Sequence, residues 1–270
     1  MGVVNVTPDS FSDGGHFFSV DAAVEQGRKL TGDGADILDI GGESTRPFSD
    51  PISVEEESQR VIPVIESLAQ HISIPISIDT TKAKVARRAL DAGASIINDI
   101  SALRLDPELG SVAADYDVPI ILMHMLGTPK TMQEAPEYQD LMGEIRRFLE
   151  KAIERARGAG IPEDRVIIDP GIGFGKTFDH NLGLLRQLGR FQDMEAPILV
   201  GPSRKAFIRH LLKGHRDTDI SPLLPEVEIG TQAAVATAIL NGAHIVRVHN
   251  VGNTRSTAAI IDAIINVSLE

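Results

Sequence analysis

The chain has 270 residues, 42% of them hydrophobic and 24% charged, which is enough apolar surface to bury a core and excludes a disordered chain. Its formal net charge of -12 argues against nucleic acid or anionic membrane as a partner, but leaves room for an anionic ligand in a locally cationic pocket. It has no Cys, so disulfide scaffolds, thiolate zinc sites and cysteine nucleophiles are excluded.

Short apolar runs alternate with amphipathic segments from end to end. The runs lie at residues 3–6, 37–40, 74–78, 96–97, 120–123, 166–168, 198–200 and 245–248. They are short and mostly β-branched, as fully buried parallel strands are. Helical patterns cover 21–31, 54–69, 82–92, 108–115, 141–159, 181–188, 229–241 and 254–267, and 205–212 predicts an additional helix after the seventh strand. Gly34, Gly93 and Gly242 each stand just before an apolar run and predict left-handed helix ends. Gly160 does the same ahead of Pro162.

Eight strands alternating with helices predict an α/β fold, a single-domain (β/α)8 TIM barrel over residues 1–270. A doubly wound open sheet is the less favoured alternative. Aromatics are 4% of the chain, so the core is built of Val, Ile, Leu and Ala. No run approaches the roughly 18 apolar residues of a membrane span, and no signal pattern opens the chain, so the expected location is cytoplasmic. Met1 leads almost directly into the first strand, as an internal Met of a longer protein or a chain lacking a few upstream residues would.

In such barrels the chemistry sits at the C-terminal strand ends. Here those ends carry Asn5, Asp79, Asn98, His124, Asp169, Ser203 to Lys205, and Arg247 with His249. Filling nearly every end with a polar group points to one small-molecule site. Singly, each has a plainer reading. Asp79 could cap the next helix, Asp169 could begin a turn before Pro170, His124 reads as a core histidine, and Lys205 could be a solvated helix residue. Asp39 lies inside an apolar run and reads as a supporting or structural carboxylate, outside the site. Arg247 and His249 alternate on one strand and should project the same way as a cationic pair.

The run GIGFGKT at 171–177 imitates two phosphate motifs and satisfies neither. A Walker A loop needs glycine at 170, where this chain has Pro170, and a dinucleotide fingerprint needs glycine at 176, where it has Lys176. The glycines instead let a loop pack over a flat ligand, with Phe174 offering a ring face. The polar, glycine-bearing loops at 5–15 and 41–47 have the composition of closing lids.

Eight motifs now stand in order: NVTPDSFSDGG at 5–15, DIGGESTRP at 39–47, SIDT at 77–80, IINDIS at 96–101, LMHM at 122–125, DPGIGFGK at 169–176, GPSRKAF at 201–207 and RVHNV at 247–251. Together they resemble the dihydropteroate synthase family of folate biosynthesis, over nearly the whole chain.

The resemblance implies a transferase that joins 6-hydroxymethyl-7,8-dihydropterin diphosphate to 4-aminobenzoate, giving dihydropteroate and pyrophosphate by a dissociative, Mg2+-assisted substitution. It implies a pterin pocket of Asp79, Asn98, Met123, Asp169 and Lys205, and catalytic contributions from Lys205, Arg247, His249 and Asn5. Aminobenzoate and the lids would involve Phe11, Thr45, Arg46, Pro47, Phe174 and Ser203. Mg2+ would lie near Asn5 and Asp13. A homodimer and sulfonamide sensitivity are further expectations of the resemblance. The chain departs from the family pattern at Ala206, where Ser is common, at Asn250, where Asp is usual, and at Phe48, where Gly is frequent. Competing readings are a pterin-binding methyltransferase barrel, a Schiff-base aldolase using Lys205, and a non-catalytic pterin-binding barrel.

Overall fold

The computed structural model describes residues 1–7, 16–45 and 49–268, with backbone only at 16–19. Its elements, in chain order, are β1 (Gly2–Asn5), α1 (His16–Gly32), β2 (Leu38–Gly41), α2 (Val54–Ala69), β3 (Ile76–Asp79), α3 (Ala83–Asp91), β4 (Ile96–Asp99) and α4 (Glu108–Asp115). There follow β5 (Ile120–Met123), α5 (Leu141–Gly158), β6 (Val166–Asp169), α6 (Phe178–Arg186), β7 (Leu199–Val200), α7 (Ala206–Leu212), α8 (Pro225–Leu240), β8 (Ile245–Val246) and α9 (Val251–Ile265). The extra helix expected after the seventh strand is α7. Among the described residues no helix is long and apolar enough to cross a membrane.

All strand pairs are parallel. β1 to β6 follow one another in sequence order, and β7 pairs with β8. Two bridges close the ring, Ile168 with Ile198 and Gly2 with Val248. At the closing seam the Val3 N–H donates to the Val248 carbonyl at 3.0 Å, and the Val248 N–H donates to Met1 at 2.9 Å. The open-sheet alternative is therefore excluded, and the fold is a closed TIM barrel.

The period-2 alternation of each strand sorts its residues into two layers. Outward-facing Leu38, Ile40, Ile78, Ile97, Ile120, Leu122 and Ile168 are fully buried against the helices. Inward-facing residues build the barrel interior. Its lower layer is apolar, with Met1, Ile96, Ile121 and Leu199 packed beside Ile37, Ile167 and Ile245. Two residues further along the same strands stand Asp39, Asn98, Met123, Asp169 and Arg247. The interior thus changes from a dry floor to a polar layer within one pleat repeat.

Differences from the sequence expectation are mostly at ends. α1 begins at His16 rather than 21. β4 and β6 run on into Asp99 and Asp169, because these polar residues still pair, Asp99 with Leu122 and Asp169 with Met123. α8 starts earlier, at Pro225, where a missing N–H costs nothing. The predicted left-handed helix ends are present, with φ of 113° at Gly93 and 96° at Gly242.

Candidate active site

The polar layer opens at the C-terminal end of the barrel. Its centre is Arg247, whose Nε donates to Asp39 Oδ2 at 2.5 Å and whose Nη2 donates to Asp79 Oδ2 at 2.8 Å. The same Asp39 oxygen accepts the Asn98 amide at 3.1 Å. Asp39 is fully buried, and its Oδ1 has no hydrogen-bond partner. The structure agrees with the expected supporting carboxylate, since Asp39 is buried and holds Arg247 and Asn98.

Asp79 does not cap α3. The residue at that helix start is Lys82, which has no side-chain cap bond. Burial pushes the Asp79 carboxyl up to about 7, against the pull of Arg247. Asp169 does begin a turn, because its Oδ1 accepts the Gly171 N–H at 2.7 Å. That bond uses one oxygen and leaves Oδ2 for a ligand. Burial raises the Asp169 carboxyl as well, opposed by Lys205.

Lys205 stands at the start of α7, beside Arg204 in a left-handed conformation at φ 59°. Such strain in a non-glycine residue is characteristic of working sites. The Arg204 N–H donates to Thr231 Oγ1 at 3.1 Å, which holds the turn. Lys205 Nζ donates to the Ile172 carbonyl and lies 4.4 Å from the centre of the Phe174 ring. Burial lowers the ammonium to about 7, opposed by Asp169. The expected ring face of Phe174 is thus covered by Lys205. Met123 is buried with Ile100, Met125 and Met132, with Phe174 packed against them, and supplies an apolar wall.

The glycine loop at 171–175 is fixed from several sides. Gln133 Nε2 donates to the Gly173 carbonyl at 2.9 Å, and the Tyr138 hydroxyl donates to Gly175 at 2.7 Å. Lys176 Nζ donates to the Phe174 carbonyl at 3.0 Å and meets His124 Nδ1 at 2.9 Å. Burial drives His124 down to about 2, so the imidazole is a neutral acceptor and the core reading of this residue holds. Gln133 and Tyr138 carried no sequence signal, since their partners are backbone carbonyls of another loop.

Arg247 and His249 have different partners. Arg247 is held by two carboxylates, whereas His249 Nδ1 meets Ser203 Oγ at 2.9 Å. Asn5 ends β1, half-buried, and Thr45 is half-buried in the loop after β2. Phe11, Asp13, Arg46, Pro47 and Phe48 lie outside the described residues. Ala206 is exposed at the first turn of α7. Asn250 caps α9, accepting the Asn253 N–H at 3.1 Å, a task that Asp and Asn perform equally well.

A closed parallel barrel with three buried hydrogen-bond acceptors, one lysine and one restrained arginine at its strand ends is a class of enzyme built for a small polar heterocycle. Comparison with known proteins agrees. Residues 1–249 match the family described as pterin binding enzyme. The chain is 48% identical over 264 residues to the dihydropteroate synthase of Synechocystis sp., covering 98% of this chain and 89% of that protein. The dihydropteroate synthase of Xanthomonas albilineans, solved with 4-aminobenzoic acid, superposes with a TM-score of 0.90 at 46% identity, covering 99% of this chain and 93% of the other. The Yersinia pestis dihydropteroate synthase, solved with a sulfonamide drug, gives 0.91 at 43%, covering 99% and 94%. The chain belongs to the pterin-binding enzymes, in the family of dihydropteroate synthases, which are transferases.

Proposed function

We propose that this barrel condenses 6-hydroxymethyl-7,8-dihydropterin diphosphate with 4-aminobenzoate at the strand-end ring, and that residues 1–270 act as one domain. The observation that carries this reading is the Asp79, Asn98, Asp169 and Lys205 constellation. A pterin offers a donor edge beside acceptor atoms. Asp79 and Asp169 accept from that edge. One N–H of the Asn98 amide is spent on Asp39, which leaves its second N–H to donate to the ring and its carbonyl oxygen to accept from it. Lys205 donates to ring acceptors, and Met123 lines the plane. Matching every edge discriminates strongly, since a wrong ring leaves buried polar groups unpaired.

The diphosphate then lies toward Asn5, Arg247 and His249. The bond between the pterin methylene carbon and the diphosphate oxygen breaks first. Pyrophosphate leaves with the electron pair, and Arg247 and His249 offset its charge. The arylamine nitrogen attacks the pterin cation and loses one proton. A neutral aniline needs no strong base at pH 7. Aminobenzoate occupies the side formed by Phe11, Thr45, Arg46, Pro47, Phe174 and Ser203. Backbone N–H groups at the start of α7 serve its carboxylate in place of a side chain at Ala206.

Among the described residues no three His, Asp or Glu side chains are grouped to hold a metal. Mg2+ takes one or two protein oxygens and completes its shell with water and phosphate. Asn5 with Asp13 would hold it, and it would neutralise charge on the leaving diphosphate.

Homodimerisation fits the outer face of the barrel. A groove of about 520 Å³ between α6, α7 and α8 is lined by Leu182, Leu185, Phe207, Leu211 and Leu212, and Leu211 is 56% exposed. Ile229 on α8 is 70% exposed and Ile260 on α9 is 63% exposed. Exposed large apolar side chains beside such a groove mark an association face. Sedimentation velocity checks it, with a dimer expected and a monomer contradicting it. A cytoplasmic location completes the reading.

The decisive assay supplies dihydropterin diphosphate, 4-aminobenzoate and Mg2+ to the purified protein. Dihydropteroate and pyrophosphate are expected in equal amounts. Pterin binding without either product would favour a non-catalytic barrel.

A further inference from the structure

The loop after β2 is anchored at its root, and further on Ser49 Oγ donates to the Ser44 carbonyl at 2.6 Å and the Ile52 N–H donates to Glu43 Oε2 at 3.4 Å. Gly42 packs so tightly on α2 that an added Cβ would lie 2.8 Å from Val61 and 3.3 Å from Glu57. Its carbonyl accepts Arg60 Nη1 at 2.7 Å. The next residue, Glu43, leaves that surface and turns toward α3. There Lys82 Nζ donates to Glu43 Oε2, and also to Glu57 Oε2 at 2.6 Å. The two carboxylates differ in burial. The Glu57 side chain is 1% exposed and the Glu43 side chain is 21% exposed.

Lys82 has no other task that explains its charge. α3 is capped without it, since the Ala83 N–H donates to Asp106 Oδ2 at 2.8 Å and the Lys82 N–H donates to Thr80 Oγ1 at 3.2 Å. The ammonium joins a buried, helix-bound carboxylate to a loop-borne one. If it were removed, two like charges would face each other across the space it filled. Glu57 cannot retreat, because its helix is packed around it, so Glu43 would swing out and carry Ser44 and Thr45 with it.

We infer that Lys82 is a positioning residue for the second lid, and thereby sets affinity for the arylamine substrate and not for the pterin. The inference rests on the reading that Thr45 and its neighbours receive aminobenzoate. Lys82 touches no substrate. It holds Glu43, and Glu43 sets the position of Ser44 and Thr45, to which the proposed function gives the arylamine side.

The test uses Lys82→Met, Glu43→Gln and Lys82→Arg in the full chain. Glu43→Gln loosens the lid without stranding the buried Glu57, so it keeps the test alive if Lys82→Met folds poorly. Both loosening variants should raise KM for 4-aminobenzoate roughly tenfold while KM for the pterin diphosphate stays within about twofold. Lys82→Arg should restore near-normal values. A parallel rise of both KM values, or of neither, overturns the inference. Hydrogen exchange over residues 41–52 gives a readout independent of activity. Faster exchange in Lys82→Met and Glu43→Gln, restored in Lys82→Arg, is expected, and unchanged exchange overturns the proposal. If the unaltered protein forms no dihydropteroate, the reaction assignment fails by itself, and the exchange data still judge Lys82.

Discussion

Arg247 and Asp39 meet at 2.5 Å through Nε and Oδ2, and that single buried oxygen also accepts the Asn98 amide. One carboxylate therefore aims two groups with different duties. It fixes the Asn98 amide and the Arg247 guanidinium, to which the proposed function gives the pterin and the departing diphosphate respectively. A buried carboxylate is costly unless paired, so Asp39 and Arg247 depend on each other.

Replacing Asp39 with Asn should separate these effects from simple folding. The amide cannot match the cation and leaves Asn98 free to turn. KM for the pterin diphosphate should rise roughly tenfold or more, and kcat should fall as well. Steady-state kinetics check this, and unchanged constants would remove Asp39 from the account.

The pH dependence follows from two displaced groups. Burial holds the Asp79 carboxyl at about 7, so it takes up a proton as pH falls through that value. Burial holds the Lys205 ammonium at about 7, so it loses its charge as pH rises through the same region. Both charged forms coexist only near neutrality. The kcat/KM for the pterin diphosphate should therefore be bell-shaped and narrow, with limbs that belong to the coupled site. Asp79→Asn should flatten the acid limb. A profile flat from about pH 5.5 to about pH 8.5 would contradict both assignments.

Among the described glycines, Gly171 meets the closest atom when a side chain is added. Its φ is +72°, and an added Cβ would lie 1.9 Å from the His124 backbone oxygen. Gly171→Ala should cost about 2 to 4 kcal/mol from backbone strain and overpacking together. Thermal unfolding should show a midpoint roughly 5 to 10 °C lower. Gly158→Ala is the control, because an added Cβ there meets nothing within 4 Å. Its midpoint should hold or rise. Equal midpoints for the two variants would refute the packing argument.

The strand order, the extra helix and the polar layer at the strand ends were legible because barrel strands alternate every second residue. Ile96 and Asn98, or Ile167 and Asp169, show the floor and the polar layer in one short run. Asp39 reads as a supporting carboxylate from the sequence, and its bonds to Arg247 and Asn98 agree. Leu38 and Ile40 beside it face the helices, while Asp39 faces inward. The separate partners of Arg247 and His249 were not legible, since shared projection does not reveal which carboxylates arrive from β2 and β3. The braces on the glycine loop were also hidden. Gln133 and Tyr138 bond to backbone carbonyls of Gly173 and Gly175, and a carbonyl leaves no trace in residue type. Asn250 looked like a departure from the family pattern and proves to be an ordinary helix cap.

The central claim is that the strand-end ring holds the pterin, with Asp169 as its main acceptor. Calorimetric titration of a dihydropterin diphosphate into the unaltered protein and into Asp169→Asn tests this most directly. The account predicts saturable binding in the first and a loss of roughly a hundredfold or more in the second, since the amide presents a donor where the ring also donates. Near-equal affinity of the two proteins would contradict it.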